Sequence, residues 1–203
     1  FFLLSCNIGE ILVVLVSQLL GWPLPLLAIH LLWLNLVTDS FPALALGTEK
    51  GDPDIMDWKP RPRSAPIIDR DMAWQIAIQS AAEMLAVLGA FWMAGALGAE
   101  SGLERARTIA FSTLVTAELL RAYSCRSDRF SILRIGIFSN RAMVAATAVS
   151  FALLLAALYL PGAGQVFKTV PLALSDWTIV LGFAALPLLA GEAMKQVARG
   201  WRS

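Results

Sequence analysis

The chain has 203 residues, 58% hydrophobic and 15% charged, with a mean hydropathy of +0.68 and a formal net charge of +1. That is far more apolar than a soluble domain of this length needs, and the apolar residues fall into long runs, as in integral membrane proteins. The near-neutral balance, with no basic cluster interleaved with aromatics, excludes nucleic acid as an expected partner.

Six stretches are long enough to cross a hydrocarbon core, which takes about 20 helical residues. They cover 1–20, 24–47, 72–97, 107–124, 142–160 and 177–194. The first lacks a basic leader and a cleavage site, so it is expected to be a span and not a signal peptide. It carries Asn7 and Glu10, three apart and therefore on one helix face. Cys6, in the same span, and Cys125 lack metal-ligand spacing and read as reduced, structural thiols. Gly21-Trp22-Pro23 then turns the chain so tightly that the first two spans must form an antiparallel hairpin.

The second span contains His30, expected at the outer interface, and then Asn35, Thr38 and Asp39. Pro42 has no N–H, so the Thr38 carbonyl loses its helical partner and the ring clashes with it. The helix is therefore expected to kink or unwind at Thr38-Asp39, and irregular backbone at membrane depth is tolerated only where protein or an ion pathway satisfies it. A polar, Pro-rich loop follows over 48–71, in which Asp52, Asp54 and Asp57 are candidates for docking a further domain. The third span sets Gln75, Gln79 and Glu83 four apart, a stripe read as interhelical hydrogen bonding. The fourth holds Glu118 with Arg121 one turn beyond, close enough to be its salt-bridge partner. Pro161-Gly162 ends the fifth span, Ser175 or Asp176 can cap the sixth, and Glu192 and Lys195 form an expected structural pair. With no domain boundary or repeat, residues 1–203 read as one all-α, polytopic membrane helix bundle of six transmembrane helices.

Positive charge orients the bundle. Lys50, Lys59, Arg61, Arg63, Arg70, Arg121, Arg126, Arg129, Arg134, Arg141, Lys195, Arg199 and Arg202 fall on one side. Arg105, Arg107 and Lys168 alone fall on the other. The expectation is a multi-pass protein with the 48–71 loop and both termini in the cytosol.

At 1.5 Å per residue, Glu10 lies roughly 15 Å from the outer end of its helix, Asp39 roughly 22 Å, Glu118 roughly 16 Å and Glu83 roughly 21 Å. Four carboxylates thus share the middle of the bilayer, where each charge costs about 2.5–3.5 kcal/mol even on the lenient insertion scale. Arg121 is the one basic residue nearby. The remaining negative charge requires protons or a cation from solution. Carboxylate, amide and hydroxyl oxygens are hard ligands, suited to Ca²⁺ or Mg²⁺ and not to zinc or copper. Mg²⁺ sheds water reluctantly, which favours Ca²⁺, while Na⁺ and K⁺ stay open. The plainer reading of the same residues is polar glue between helices.

These residues also carry a resemblance. Asn7-Ile8-Gly9-Glu10 resembles the N-x-G-E of the fifth transmembrane helix of sarcoplasmic-reticulum-type calcium pumps. Leu32-Trp33-Leu34-Asn35-Leu36-Val37-Thr38-Asp39, with Phe41-Pro42-Ala43, is similar to their sixth almost letter for letter. Asp52-Pro53-Asp54-Ile55-Met56-Asp57 looks like the following cytosolic loop. Thr113-Leu114-Val115-Thr116-Ala117-Glu118 resembles the eighth helix, and Leu186-Pro187 through Glu192 the tenth. The resemblance implies the C-terminal membrane domain of a P-type calcium-transporting ATPase, expected in a prokaryotic cell membrane. It implies one calcium site at Asn7, Glu10, Thr38, Asp39 and Glu118, and a share of a second at Asn35 and Asp39. It further implies phosphorylation of a cytosolic aspartate and proton counter-transport by the emptied carboxylates. The D-K-T-G-T, T-G-E and P-E-G-L motifs of that family do not occur in the sequence. A piece of a longer pump is therefore expected, with ATP and Mg²⁺ acting only through the missing actuator, phosphorylation and nucleotide domains, and the first four transmembrane helices as partners alongside the lipid bilayer. The competing expectations are a non-catalytic membrane subunit or remnant of such a pump, and a small channel or secondary carrier.

Single-cysteine variants in the 48–71 loop, labelled in intact cells with a membrane-impermeant reagent, are expected to stay unlabelled until the membrane is opened. Label from outside contradicts the charge-based orientation.

Overall fold

The computed structural model describes residues 1–52, 55–57, 62, 66–95, 102–127 and 130–200. Lys59, Arg61, Arg63, Arg129, Arg202 and Asp54, used above for orientation or docking, lie outside them. Every regular element among the described residues is helical. Helix α1 spans Phe2–Leu19. Helix α2, Ala28–Trp33, runs through a π-helical turn, Leu34–Thr38, into α3, Ser40–Gly47. A 3-10 turn at Ile55–Asp57 precedes α4, Arg70–Met93, and then come α5, Leu103–Ser124, and the short α6, Ile132–Ile135. Helix α7, Arg141–Tyr159, the short α8, Ala163–Phe167, and α9, Leu174–Gly200, complete the chain.

Local chemistry explains where these elements begin. Pro23 and Pro25 keep 24–27 out of a helix, so the second span starts at Ala28 and not at 24. Asp69 accepts from the Met72 N–H at 2.8 Å and starts α4 two residues earlier than hydropathy suggests. The expected cap of the last span is corrected. Asp176 sits inside the first turn of α9, accepts from the Ala173 N–H at 3.0 Å and pairs with Arg105.

Five of the helical stretches are long and apolar enough to cross a membrane: Phe2–Leu19, Ala28–Gly47, Arg70–Met93, Arg141–Tyr159 and Leu174–Val197. The expected fourth span, α5, is not among them, because Glu104, Arg105, Arg107, Glu118 and Arg121 lie within it. Its position makes that composition tolerable. It packs against α4, α7 and α9 and is buried on nearly all sides, with Ile109, Phe111, Leu114 and Val115 fully enclosed. Between apolar helices in lipid there is little hydrophobic drive, so close contact depends on small residues. Ala86, Ala90, Ala106, Ala110, Ala122 and Ala184 are accordingly buried at the helix contacts, whereas Leu15, Leu36, Leu44, Leu85, Leu153 and Leu189 face outward.

Both ends of the bundle are tied by polar contacts. At one end Arg126, buried, holds the Glu49 carboxylate through Nε (2.7 Å) and Nη2 (3.0 Å) and the Gly136 carbonyl at 2.8 Å. Asn140 also reaches Glu49, at 2.8 Å, and Lys195 donates to the Ser124 carbonyl at 2.6 Å and to Glu192 at 2.9 Å, the expected structural pair. At the other end Arg107 donates to the Leu24 carbonyl at 2.9 Å. His30, expected at the interface, is instead fully buried there. The Leu27 N–H donates to its Nδ1, so Nε2 carries the proton and donates to the Phe167 carbonyl at 2.7 Å, while the ring stacks on Phe111.

The hydrogen bond from Arg126 holds the Glu49 carboxyl below its ordinary range. A depressed value means the clamp stabilises the fold above the ordinary carboxylate range and is lost as pH falls through the lowered one. Glu49→Gln is therefore expected to lower the thermal midpoint at neutral pH by several degrees and to flatten its decline in acid. Parallel unfolding curves in detergent at neutral and acid pH check both.

Candidate functional site

The site is built on the break in the second span. The Asp39 N–H reaches back five residues to the Leu34 carbonyl at 3.1 Å, and Ala43 restarts the α-helix on the Asp39 carbonyl at 3.1 Å. The expected distortion is therefore present, as a wide turn immediately before Asp39 in place of a kink centred on it. Such π-turns rotate the following residues relative to the preceding helix and recur at functional sites. Here the turn delivers Thr38 and Asp39 to the interior, both buried.

Glu10 enters from α1 and Glu118 from α5, each buried. Their oxygens are poorly satisfied. Glu10 Oε2 accepts from Asn35 Nδ2 at 3.2 Å, but Glu10 Oε1, Thr38 Oγ1, both Asp39 carboxylate oxygens and both Glu118 oxygens find no hydrogen-bond partner among the described residues. Buried polar atoms are ordinarily paired, and a cluster of orphan oxygens in a bundle core requires an explanation. A ligand atom from each of Cys6, Asp39 and Glu118 lies within 4.8 Å of the other two. Asn7 is not drawn in: it is half-buried and its Nδ2 donates to the Leu3 carbonyl of its own helix at 2.8 Å. Asn35 is exposed and spans the gap to Glu10 from the rim.

Arg121 is placed differently from expectation. Its partner is Glu83 of α4, not Glu118, and both side chains are fully buried. The second guanidinium nitrogen donates to the Phe2 carbonyl (3.0 Å), Ser5 Oγ (2.7 Å) and Cys6 Sγ (3.0 Å), so one side chain on α5 ties α4 to the first turns of α1. Gly9 permits the approach, since a Cβ there would stand 2.7 Å from Glu83 Oε1. Gln79, one turn earlier on α4, bridges to α9 when its amide nitrogen faces the Pro187 carbonyl and its oxygen the Gly191 N–H, each at 3.1 Å. The polar stripe of α4 thus works between helices, as its spacing predicts. With Arg121 matched to Glu83, Glu10, Asp39 and Glu118 have no salt-bridge partner among the described residues. Cys6 was missed as a neighbour of this cluster, although it stands four residues before Glu10 on the same helix face.

The family model for the C-terminus of cation transporting ATPases matches residues 23–197. The chain belongs to that family. This ATPase region is 38% identical over 195 residues to a calcium-transporting ATPase of Bacillus subtilis, covering 95% of this chain and 22% of the relative. It is 34% identical over 207 residues to calcium-transporting ATPase 1 of Bacillus cereus, covering 96% and 23%. It is 30% identical over 227 residues to an endoplasmic reticulum calcium ATPase of Aspergillus fumigatus, covering 98% and 23%. The chain therefore spans less than a quarter of the length of the curated relatives it matches. It is the C-terminal membrane region of a cation-transporting ATPase, an integral membrane protein.

Breaking the buried pair leaves an uncompensated charge, so Arg121→Met or Glu83→Met alone should each cost about 3–5 kcal/mol. The double replacement should recover most of that loss. Denaturation of the detergent-solubilised single and double variants measures it, and additive losses would contradict a direct pair.

Proposed function

We propose that this segment forms the ion-binding core of an ATP-driven calcium pump. The observation that carries the reading is that Glu10, Thr38, Asp39 and Glu118 keep buried oxygens without a hydrogen-bond partner among the described residues, with Asp39 close to Glu118 and just after a π-helical turn. Orphan oxygens of this kind suit a hard cation that replaces water with carboxylate and hydroxyl ligands. The relatives named above are calcium pumps, which favours Ca²⁺ as the cargo. Asn35 supplies an amide from the rim, and Asn7 joins when its amide leaves the Leu3 carbonyl.

Release of the ion exposes a second requirement. Glu10, Asp39 and Glu118 then remain in the bundle without a basic partner, and protons are the available neutralising charge. Counter-transport of protons follows, with alternating access driven by ATP and Mg²⁺ in the remainder of the pump. By the positive-inside rule, the basic residues toward the Glu49–Arg126 end favour a cytosolic position for that end and for both termini of this segment.

Asp39 is the ligand on which ion binding depends, because it directly follows the turn and both its oxygens are uncommitted. In the full-length pump Asp39→Asn is expected to abolish equilibrium binding of radioactive calcium. Glu10→Gln is expected to lose only the ion it lines and any binding that needs that site filled first. Near-normal occupancy in Asp39→Asn would overturn the assignment.

A further inference from the structure

The neighbours of Asp39 and Glu118 include one atom that hard-cation chemistry does not call for. Cys6 Sγ is fully buried, is not in a disulfide, and shares a 4.8 Å neighbourhood with a carboxylate oxygen from each of Asp39 and Glu118. Metal–ligand distances of about 2.0–2.6 Å place two ligands of one ion up to about 5 Å apart, so this spread suits a single cation. Both oxygens of Asp39 and of Glu118 are buried, with no hydrogen-bond partner among the described residues. Both carboxylates are therefore available to an ion held by the sulfur.

We infer that Cys6 is a ligand of this site, making it a mixed sulfur and oxygen site that accepts thiophilic divalent cations such as Cd²⁺ alongside hard ones. The inference rests on reading the cluster as a cation site, but not on calcium being its cargo. Thiolate selects soft and borderline metals, while carboxylate and hydroxyl oxygens accept hard ones, so a site holding both discriminates less than an all-oxygen cage. The thiol gives up its proton to solvent as the metal–sulfur bond forms. Arg121 donates to the same sulfur at 3.0 Å and opposes a second positive charge there. Its pairing with Glu83 offsets that opposition, and Glu10, Asp39 and Glu118 face the cation without a basic partner of their own.

Sulfur ligation has a signature that oxygen ligation lacks, the ultraviolet charge-transfer absorption of a cadmium–thiolate bond. Titration of the detergent-purified full-length pump with Cd²⁺ is expected to raise this band to a one-to-one end point. Cys6→Ser should remove the Cys6 share of it, and Cys125→Ser should leave that share intact. Glu118→Gln, which keeps the thiol, should weaken the cadmium titration at least about ten-fold. An unchanged band in Cys6→Ser, or an unchanged titration in Glu118→Gln, overturns the inference. Calcium binding measured on the same preparations separates the two readings. Normal calcium binding without the band defeats sulfur ligation alone, and the band without calcium binding defeats calcium as cargo alone.

Discussion

A charge in the middle of a lipid bilayer has no water to solvate it, and the structure of this segment follows from how it meets that constraint. Glu10, Asp39, Glu83, Glu118 and Arg121 are all buried in one bundle. One guanidinium answers one carboxylate, and that pair also satisfies the Ser5 hydroxyl and the Phe2 carbonyl. Asp39 and Glu118 lie close together, and they and Glu10 keep buried oxygens without a hydrogen-bond partner among the described residues. A fully paired set would be a structural network. The surplus of negative charge makes the cluster a place where a cation or protons are required.

The architecture serves that arrangement. Helix α5 carries too many charges to face lipid, and it occupies the centre, with α4, α7 and α9 around it. Small residues let neighbouring helices approach closely, and Gly9 does so where α1 meets Glu83. The π-turn of Leu34–Thr38 resets the second span so that Thr38 and Asp39 both turn inward. Away from this core the ends are fastened by ordinary polar contacts, the Glu49–Arg126 clamp at one and the Arg105–Asp176 pair at the other. Fastened ends and an incompletely paired middle suit a bundle whose centre changes when an ion binds.

Much of this was legible in the sequence because the signals are physical. Hydropathy marked five of the spans, Pro42 marked the distorted second helix, and the carboxylates expected at mid-depth are buried in the bundle. The four-residue spacing of Gln79 and Glu83 foretold contacts between helices. What escaped was pairing across helices. Arg121 is one turn from Glu118 in sequence, yet the fold turns it toward Glu83, a choice set by how α4 and α5 rotate against each other. His30 looked interfacial by position, but the α8 segment covers it and supplies a carbonyl. Cys6 lay one turn from Glu10, and its proximity to Asp39 and Glu118 depends on packing that no single helix records.

The central claim is that the unpaired carboxylates exchange protons for a metal ion. Infrared difference spectroscopy of the full-length pump, recorded with and without calcium, reads this directly through the carbonyl stretch of protonated carboxyl groups. Saturating calcium is predicted to remove intensity from that band and add it to the carboxylate bands, with chelation reversing the change. Calcium bound to saturation with no change in the carboxyl region would contradict the account.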